Sequence, residues 1–243
     1  MSRFFSKLTN VIGSTVLPFS NPRVVCPPGQ PGHYGRRNII VATPMRSGTH
    51  LLIDMILNNI PAYRTRPLYI DIDQCLNPRH LTAPDPVFNR ISPQSGHVLK
   101  THLPVGVDPE ITADPAVTTL IDAALIITVR RDKTEIERSL KQWNAASTEG
   151  RSPRHRDEDY DRFWQFWQGK ETIELRFADL FDPQAMTATI GRIAEATGTQ
   201  PAALFRGPAP AHRKLAILRN KALTRIAGRF APRIDTTIHT LKS

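Results

Sequence analysis

The sequence has little of what disulfide scaffolds and zinc sites require. Only two of its 243 residues are cysteine, Cys26 and Cys75, and neither belongs to a Cys/His spacing that would hold zinc. Two such scattered cysteines more often stay reduced inside the cell, and a disulfide between them is the alternative. The composition therefore excludes a small disulfide-rich domain and predicts no zinc site.

Long hydrophobic runs are also missing. No stretch of 18 or more apolar residues occurs, so no membrane-spanning helix is predicted. Residues 1–19 begin with basic residues, but polar residues interrupt the apolar run and no small-x-small cleavage pattern follows. Neither a membrane span nor a secretory signal is predicted, and we expect a cytoplasmic protein.

Acidic residues are absent from the first 37 positions and nearly absent from the last 38. Residues 1–37 carry a net charge of +5 and residues 206–243 carry +8, whereas residues 38–205 carry −3. The central part does not alternate basic and aromatic residues, and it has no zinc finger or basic zipper. The excess of positive charge is therefore terminal, and no nucleic-acid partner is predicted.

Both terminal segments place apolar residues at helical intervals among the basic ones. The two apolar stripes consist of Phe4, Phe5, Leu8, Val11 and Ile12, and of Leu215, Leu218, Ala222, Ile226 and Phe230. A basic amphipathic helix either lies on an anionic membrane surface or packs on its own domain with its basic face in solvent. The pattern favours packing for the C-terminal helix and leaves peripheral membrane contact open for the N-terminal one.

Strand-like apolar runs alternate with helix-like stretches along the middle of the chain. The runs lie near 38–43, 97–101, 124–129 and 172–177. This alternation predicts an α/β fold in which a central parallel sheet lies between two helical layers. Proline-rich stretches mark the boundaries of the domain. We therefore predict a basic N-terminal extension, an α/β domain and a basic C-terminal segment, at residues 1–37, 38–205 and 206–243.

The loop after the first strand has the composition of an anion-binding site. The apolar run 39–42 leads into Thr43-Pro44-Met45-Arg46-Ser47-Gly48-Thr49-His50, and apolar residues then recur at helical spacing. Gly48 permits close backbone approach, and the first N–H groups of a helix have no partner within that helix. Arg46 adds a permanent cation. The alternative is an ordinary strand-to-helix turn with a Ser/Thr cap.

Three motifs, in order, resemble those of the sulfotransferases that use 3′-phosphoadenosine 5′-phosphosulfate (PAPS). The loop is similar to the Arg-Ser-Gly-Thr form of their 5′-phosphosulfate loop. The segment 98–104 (VLKTHLP) is similar to their Lys-Thr-His-Leu-Pro segment, and Arg131 with Ser139, eight positions later, resembles their 3′-phosphate element. A weaker similarity lies at 172–180. The resemblance covers about residues 38–204 and implies a three-layer, P-loop-NTPase-like sulfotransferase fold.

The resemblance implies a role for each residue of these motifs. The residues that would hold the 5′-phosphosulfate are Arg46, Ser47, Gly48, Thr49 and His50. Arg131 and Ser139 would hold the 3′-phosphate. His102 would be the general base, while Lys100 and Arg46 would assist departure of the sulfuryl group from the donor. The alternative for His102 is the ordinary one for a lone histidine, in which the ring satisfies a loop carbonyl.

The resemblance predicts an enzyme that transfers a sulfuryl group from PAPS to a hydroxyl of a sugar, glycolipid or small molecule, without a metal ion. One alternative is an ATP-dependent kinase, which the missing Gly-Lys-Ser/Thr pattern disfavours. Another is a non-catalytic module that binds anions or membranes. Two departures from the family are notable. Leu51 stands where many relatives carry a tryptophan that stacks on adenine, and residues 212–214 (HRK) are the nearest substitute for a C-terminal Arg-Lys-Gly-x-x-Gly segment.

Overall fold

The computed structural model describes residues 33–65, 69–76, 88, 91–146 and 157–207. Most of the two predicted basic extensions, residues 1–32 and 208–243, lies outside the described residues. So do the amphipathic stripes and the 212–214 segment. The described part contains every residue of the predicted site.

Five parallel strands form one sheet in the described part of the chain. They are β1 (Ile39–Ala42), β2 (Ile70–Asp71), β3 (Val98–Thr101), β4 (Leu125–Arg130) and β5 (Thr172–Arg176). Their order across the sheet is β2-β3-β1-β4-β5, and every neighbouring pair is parallel. The predicted α/β fold with a parallel sheet is therefore confirmed, and four of the strands lie at the predicted positions.

Seven α-helices accompany these strands in the described residues. They are α1 (Thr49–Asn59), α2 (Ile72–Leu76), α3 (Pro109–Thr112), α4 (Pro115–Ala123), α5 (Lys133–Ala146), α6 (Asp157–Trp167) and α7 (Pro183–Ala196). Short 3₁₀ turns lie at Pro61–Tyr63 and Phe177–Phe181. No helix in the part that the structure describes is long and apolar enough to cross a bilayer.

Three of the helices begin with the same Asp-Pro pair. The carboxylates of Asp108, Asp114 and Asp182 accept hydrogen bonds from backbone N–H groups two residues later, at 3.0, 2.8 and 2.9 Å. Proline fills the first helical position in each case, where no N–H is needed. Each such cap contributes about 1 kcal/mol to the stability of its helix.

Side chains of the central strand β1 alternate between two hydrophobic cores. Ile39 and Val41 pack in the core that contains α1 and α7, while Ile40 and Ala42 pack in the core that contains α4 and α6. All four are fully buried. A strand buried on both faces reads as a continuous apolar run, as it does here. The helices therefore cover both faces of the sheet.

The position of β1 determines where the loop after it lies. β1 pairs with β3 on one side and β4 on the other, so the chain leaves β1 between the carboxyl ends of two strands. Open parallel sheets bind their ligands in the crevice outside the carboxyl ends of the strands, at the point where the strand order reverses. The three motifs noted in the sequence follow β1, β3 and β4 and therefore meet at this carboxyl edge.

The cysteine pattern gave one expectation that the structure overturns. Cys75 lies on α2, is fully buried, and is disulfide-bonded. Cys26 is the only other cysteine of the chain and lies outside the described residues. The expectation that both stay reduced is therefore wrong, because separation in sequence does not fix separation in space. Stable disulfides are rare in the cytosol, so this finding does not favour a cytoplasmic location.

Candidate functional site

The loop between β1 and α1 makes a tight left-handed turn. Arg46 has a φ of 67° and Gly48 a φ of 89°. A Cβ on Gly48 would lie 2.6 Å from Cδ1 of Leu180 and 3.1 Å from Cε2 of Phe177. Glycine is therefore needed at position 48 both for the backbone conformation and for the close contact. Arg46 holds a conformation that costs a non-glycine residue free energy, which is typical of ligand-binding turns.

A buried hydroxyl without a partner lies in this turn, next to a helix N-terminus that no side chain caps. Ser47 is fully buried, and its hydroxyl has no hydrogen-bond partner. No side chain caps the N-terminus of α1, an eleven-residue helix, so its first N–H groups also lack side-chain acceptors. Leaving a buried hydroxyl unsatisfied costs roughly 1–3 kcal/mol. An anion at the helix N-terminus would satisfy both sets of donors.

Two threonine hydroxyls fix the base of the loop. Oγ1 of Thr43, at the end of β1, lies 2.5 Å from Oγ1 of Thr49, the first residue of α1. Both side chains are buried. The hydroxyl of Thr49 therefore stabilises the loop through its hydrogen bond to Thr43, and contact with an anion would be a second role.

The Arg46 side chain reaches the second predicted binding element. Its Nε donates to Oγ of Ser139 on α5 at 3.1 Å. Nη1 of Arg131 donates to the carbonyl oxygen of Arg46 at 2.7 Å. The guanidinium of Arg131 lies 3.8 Å from the centre of the Phe177 ring. The structure thus brings Arg46, Arg131 and Ser139 together at the carboxyl edge.

These contacts concentrate positive charge beside the loop. Burial, and then the charge of Arg131, lower the pKa of the Arg46 guanidinium from its usual value. The carboxylate of Glu135 lies 3.2 Å from Nε of Arg131, but it is about half exposed. Burial and the charge of Arg131 both disfavour the cationic form of Arg46. A bound anion would offset the repulsion between Arg46 and Arg131.

Arg130 and Arg131 are neighbours with different surroundings. Arg130 forms a two-point ion pair with Glu174, with N–O distances of 2.8 and 3.0 Å. Its guanidinium also lies 3.9 Å from the centre of the Trp164 ring. The eight-residue spacing in the sequence pairs Ser139 with Arg131 and not with Arg130. Among the contacts described, Arg131 bonds to the loop at Arg46, and Arg130 does not.

His102 lies at the end of β3 and contacts the same loop. Its Nδ1 donates to the carbonyl oxygen of Thr43 at 2.6 Å, which leaves the lone pair of the neutral ring on Nε2. Burial, and then the charge of Lys100, lower the pKa of His102 to about 4. The imidazole is therefore neutral near pH 7 and can accept a proton. The ring also satisfies a loop carbonyl, which was the alternative role.

Lys100 lies in an ion-pair cluster, and its implied contact with the donor stays a prediction. Its buried Nζ lies 3.0 Å from Oδ2 of Asp71 and 3.3 Å from Oδ2 of Asp73. Asp73 also accepts from the backbone N–H of His102 at 3.0 Å and from Oγ1 of Thr101 at 2.6 Å. The structure therefore places the ammonium group in a buried ion-pair cluster behind His102.

The carboxylate of Asp73 remains ionised in this cluster. Burial by itself disfavours its charge, but Lys100 and His102, with the hydrogen bonds from Thr101 and the His102 backbone, outweigh that effect and lower its pKa. A buried ion pair of this kind holds its geometry only while both partners are present. Asp73 thus fixes the end of β3 on which His102 lies.

His50 lies on the β2 side of the loop. Its Nε2 is 3.4 Å from the hydroxyl of Tyr69, and the two rings meet edge to face with centroids 5.9 Å apart. The contacts described for the His50 ring are therefore with Tyr69. Contact between this ring and a phosphate stays a prediction.

Sequence reasoning missed Asp71, Asp73 and Phe177. The two aspartates occur in Tyr69-Ile70-Asp71-Ile72-Asp73, where acid and apolar residues alternate directly after a proline-interrupted stretch. That alternation marks an acidic segment, but it does not show that the segment lies beside the Lys-Thr-His strand, which only the structure reveals. Nothing in the sequence around Phe177 indicated that its ring would contact Arg131.

The chain was compared with protein-family models and with curated protein sequences, and it matches none of them.

Proposed function

We propose that this protein is a sulfotransferase that moves a sulfuryl group from PAPS to a hydroxyl group. The contact between Arg46 and Ser139 carries the proposal. These residues lie 93 positions apart in the sequence, one in the loop similar to a 5′-phosphosulfate loop and the other in the element similar to a 3′-phosphate site. A donor phosphorylated at both ends would need two phosphate-binding elements close together, and this contact supports the proposal for that reason.

The residues at the carboxyl edge fit such a donor. The unsatisfied hydroxyl of Ser47, the uncapped N-terminus of α1 and the guanidinium of Arg46 would hold its 5′ end. Arg131 would hold the 3′-phosphate through N–H groups of its planar fork, and Ser139 would add a hydroxyl. When bound, PAPS would supply the activated sulfuryl group. Its adenine would need a contact other than Leu51, which is a buried residue of α1.

His102 would act on the acceptor. The Nε2 lone pair would take the proton of the acceptor hydroxyl as that oxygen attacks sulfur, because Nδ1 is already committed to Thr43. A pKa near 4 makes a weak base. An anion bound in the loop favours the imidazolium and raises that pKa, so the base becomes stronger when the donor is present.

Lys100 and Asp73 would act as positioning residues in this scheme. Asp73 holds the His102 backbone, and Lys100 holds Asp73. The proposed acceptors are hydroxyls of sugars, glycolipids or small molecules, because a neutral imidazole suits a hydroxyl and does not select its carrier. A cytoplasmic location, with or without membrane contact, stays a prediction that cell fractionation tests.

Calorimetric titration with adenosine 3′,5′-bisphosphate, compared with AMP and with ATP plus Mg²⁺, tests the donor site. We expect tight binding only of the bisphosphate, lost in Arg131→Ala and retained in the matched variant Arg130→Ala. Transfer of labelled sulfate from PAPS to a panel of hydroxyl acceptors would then test the reaction. Preference for ATP with Mg²⁺ would support a kinase, and bisphosphate binding without any transfer would support a non-catalytic module.

A further inference from the structure

The edge of the sheet opposite the candidate site carries a second concentration of positive charge. The chain segments there precede β1 and β3 and follow α1 and α7. We define the amino-edge face by the residues Tyr34, Arg36, Arg37, Leu204 and Arg206. None of them takes part in the proposed reaction, because the sheet separates them from the carboxyl edge.

Guanidinium groups on this face are bound to main-chain carbonyls. Arg36 donates to the carbonyl oxygen of Ala62, and Arg37 donates to those of Ala123 and Ala124, both at 3.0 Å. These carbonyls lie at or beside the C-terminal ends of short helical segments, where acceptors are in excess. A carbonyl partner orients a guanidinium and carries no formal charge to offset it.

Carboxylates do not offset these charges. Within the described ranges, no ion pair involves Arg36, Arg37 or Arg206. Arg206 instead lies close enough to Arg64 for its charge, after the effect of burial, to lower the pKa of Arg64. Like charges held together at a surface raise the local concentration of anions.

A shallow polar cleft opens beside the arginines. It has a volume of about 510 Å³, and its lining includes Arg36, Arg37, Gln94, Thr199 and Gln200. Amide and hydroxyl groups next to two guanidinium groups suit phosphate oxygens, which accept hydrogen bonds from both kinds of donor. The cleft is open to the surface, so it suits a headgroup that approaches from outside.

Two exposed apolar side chains accompany the charge. The side chain of Leu204 is 79% exposed and that of Tyr34 is 38% exposed. Tyrosine and leucine next to arginine are typical of surfaces that rest at the boundary between headgroups and acyl chains. A nucleic-acid surface would gain nothing from the exposed leucine.

Both basic terminal segments join the described chain at this same edge. Residues 1–32 contain three basic residues and no acid, and residues 208–243 contain eight basic residues and one acid. They connect to the domain at residue 33, beside Tyr34, and at residue 207, beside Arg206. Two basic segments are therefore attached at the edge where the folded domain already carries positive charge.

We propose that the amino-edge face binds the surface of an anionic lipid bilayer. Phosphate headgroups contact Arg36, Arg37 and Arg206, and Leu204 enters the headgroup boundary. The candidate site, at the opposite edge, then faces away from the bilayer. This proposal does not depend on the sulfotransferase reaction, because it rests on residues outside that site.

Co-sedimentation of the full chain with phosphatidylcholine vesicles, with and without phosphatidylglycerol, tests the proposal. We expect binding only to the anionic vesicles, falling as salt rises. The double variant Leu204→Asp with Arg206→Glu should lose binding several-fold. Both side chains are exposed, and a thermal melt equal to that of the native chain checks that the variant folds.

The pair Arg162→Glu with Gln165→Asp is the matched charge control, because it changes the net charge by the same amount and both residues are exposed on α6, outside the amino-edge face. It should bind anionic vesicles like the native chain. If the double variant binds as well as this control, the terminal segments alone carry the binding and the proposal is wrong. Equal binding to neutral vesicles, or tighter binding to a single-stranded RNA of matched charge, would also overturn it.

Discussion

Nδ1 of His102 donates to the carbonyl oxygen of Thr43 across a distance of 2.6 Å. This hydrogen bond joins the end of β3 to the loop after β1, and it sets the tautomer of the only imidazole in the Lys-Thr-His segment. The loop carbonyl therefore orients the imidazole and leaves the lone pair of the neutral ring on Nε2.

Replacing His102 by Ala should abolish most sulfuryl transfer while leaving donor binding nearly intact. Loss of a general base lowers the rate by roughly 10²–10⁴-fold. We expect kcat to fall by that amount in a labelled-sulfate assay, with little change in the affinity for adenosine 3′,5′-bisphosphate. Parallel loss of affinity and rate would instead indicate that the ring only shapes the loop.

The pH dependence of activity should reflect the low pKa of His102. Because that pKa is about 4 in the free protein, kcat/KM should fall only below about that pH. A bound anion raises the pKa, so the acid limb of kcat should lie at higher pH than that of kcat/KM. Coincident limbs would show that no anion lies near the imidazole.

The same shift predicts a change in stability with pH. The pKa of His102 is lowered from 6.5 to about 4, so the folded state takes up this proton less readily than the unfolded state. Its contribution to stability is therefore complete above about pH 6.5 and is lost as the pH falls towards 4. Urea unfolding of the native chain and of His102→Asn across this window should show a steeper loss for the native chain.

Asp73→Asn should destabilise the protein strongly. The substitution leaves the buried ammonium of Lys100 with less negative charge and weakens two hydrogen bonds at the end of β3. Removing the partner of a buried ion pair costs about 3–5 kcal/mol, and because Asp71 still pairs with Lys100 we expect a loss of no more than that, but well above about 1 kcal/mol.

Asp122→Asn provides the comparison, because its ion pair with Lys170 is largely exposed. An exposed pair contributes about 0–1 kcal/mol. Chemical denaturation should show a clearly larger loss in the free energy of unfolding for Asp73→Asn than for Asp122→Asn. Equal losses would show that Asp73 does not support the Lys100 cluster.

Gly48→Ala should destabilise the loop through backbone strain and through a steric clash. The variant Gly106→Ala separates the two effects. Position 48 needs a positive φ, and a Cβ there would collide with Leu180. Gly106 has a φ of 75° but open space around a Cβ, so Gly106→Ala reports the backbone cost alone. We expect roughly 1 kcal/mol for Gly106 and about 1–3 kcal/mol more for Gly48.

Ser47→Ala should affect stability and ligand binding in opposite directions. Removing a buried hydroxyl without a partner removes a desolvation cost of roughly 1–3 kcal/mol, so the ligand-free variant should be at least as stable as the native chain. Affinity for adenosine 3′,5′-bisphosphate should fall at the same time. Loss of stability without loss of affinity would mean that the hydroxyl has only a structural role.

Much of the fold was predictable because β1, β3, β4 and β5 are apolar runs of four to six residues. β2 was not, since two residues such as Ile70 and Asp71 show no periodicity. The pairing of Lys100 with Asp71 and Asp73 depends on β2 lying beside β3, and so it could not be inferred either. The motifs predicted anion-binding roles for Arg46, Arg131 and Ser139, but the mutual contacts of these residues depend on the strand order.

Helix α1 begins at Thr49 beside the candidate site and ends at Asn59, whose side chain binds the backbone of Arg206. Its eleven residues span about 16 Å at 1.5 Å per residue. A bilayer against the amino-edge face would therefore lie about one helix length from the carboxyl edge and the candidate site. A hydroxyl at the lipid–water boundary could not reach that edge, whereas a free molecule or the outer sugars of a long glycan could.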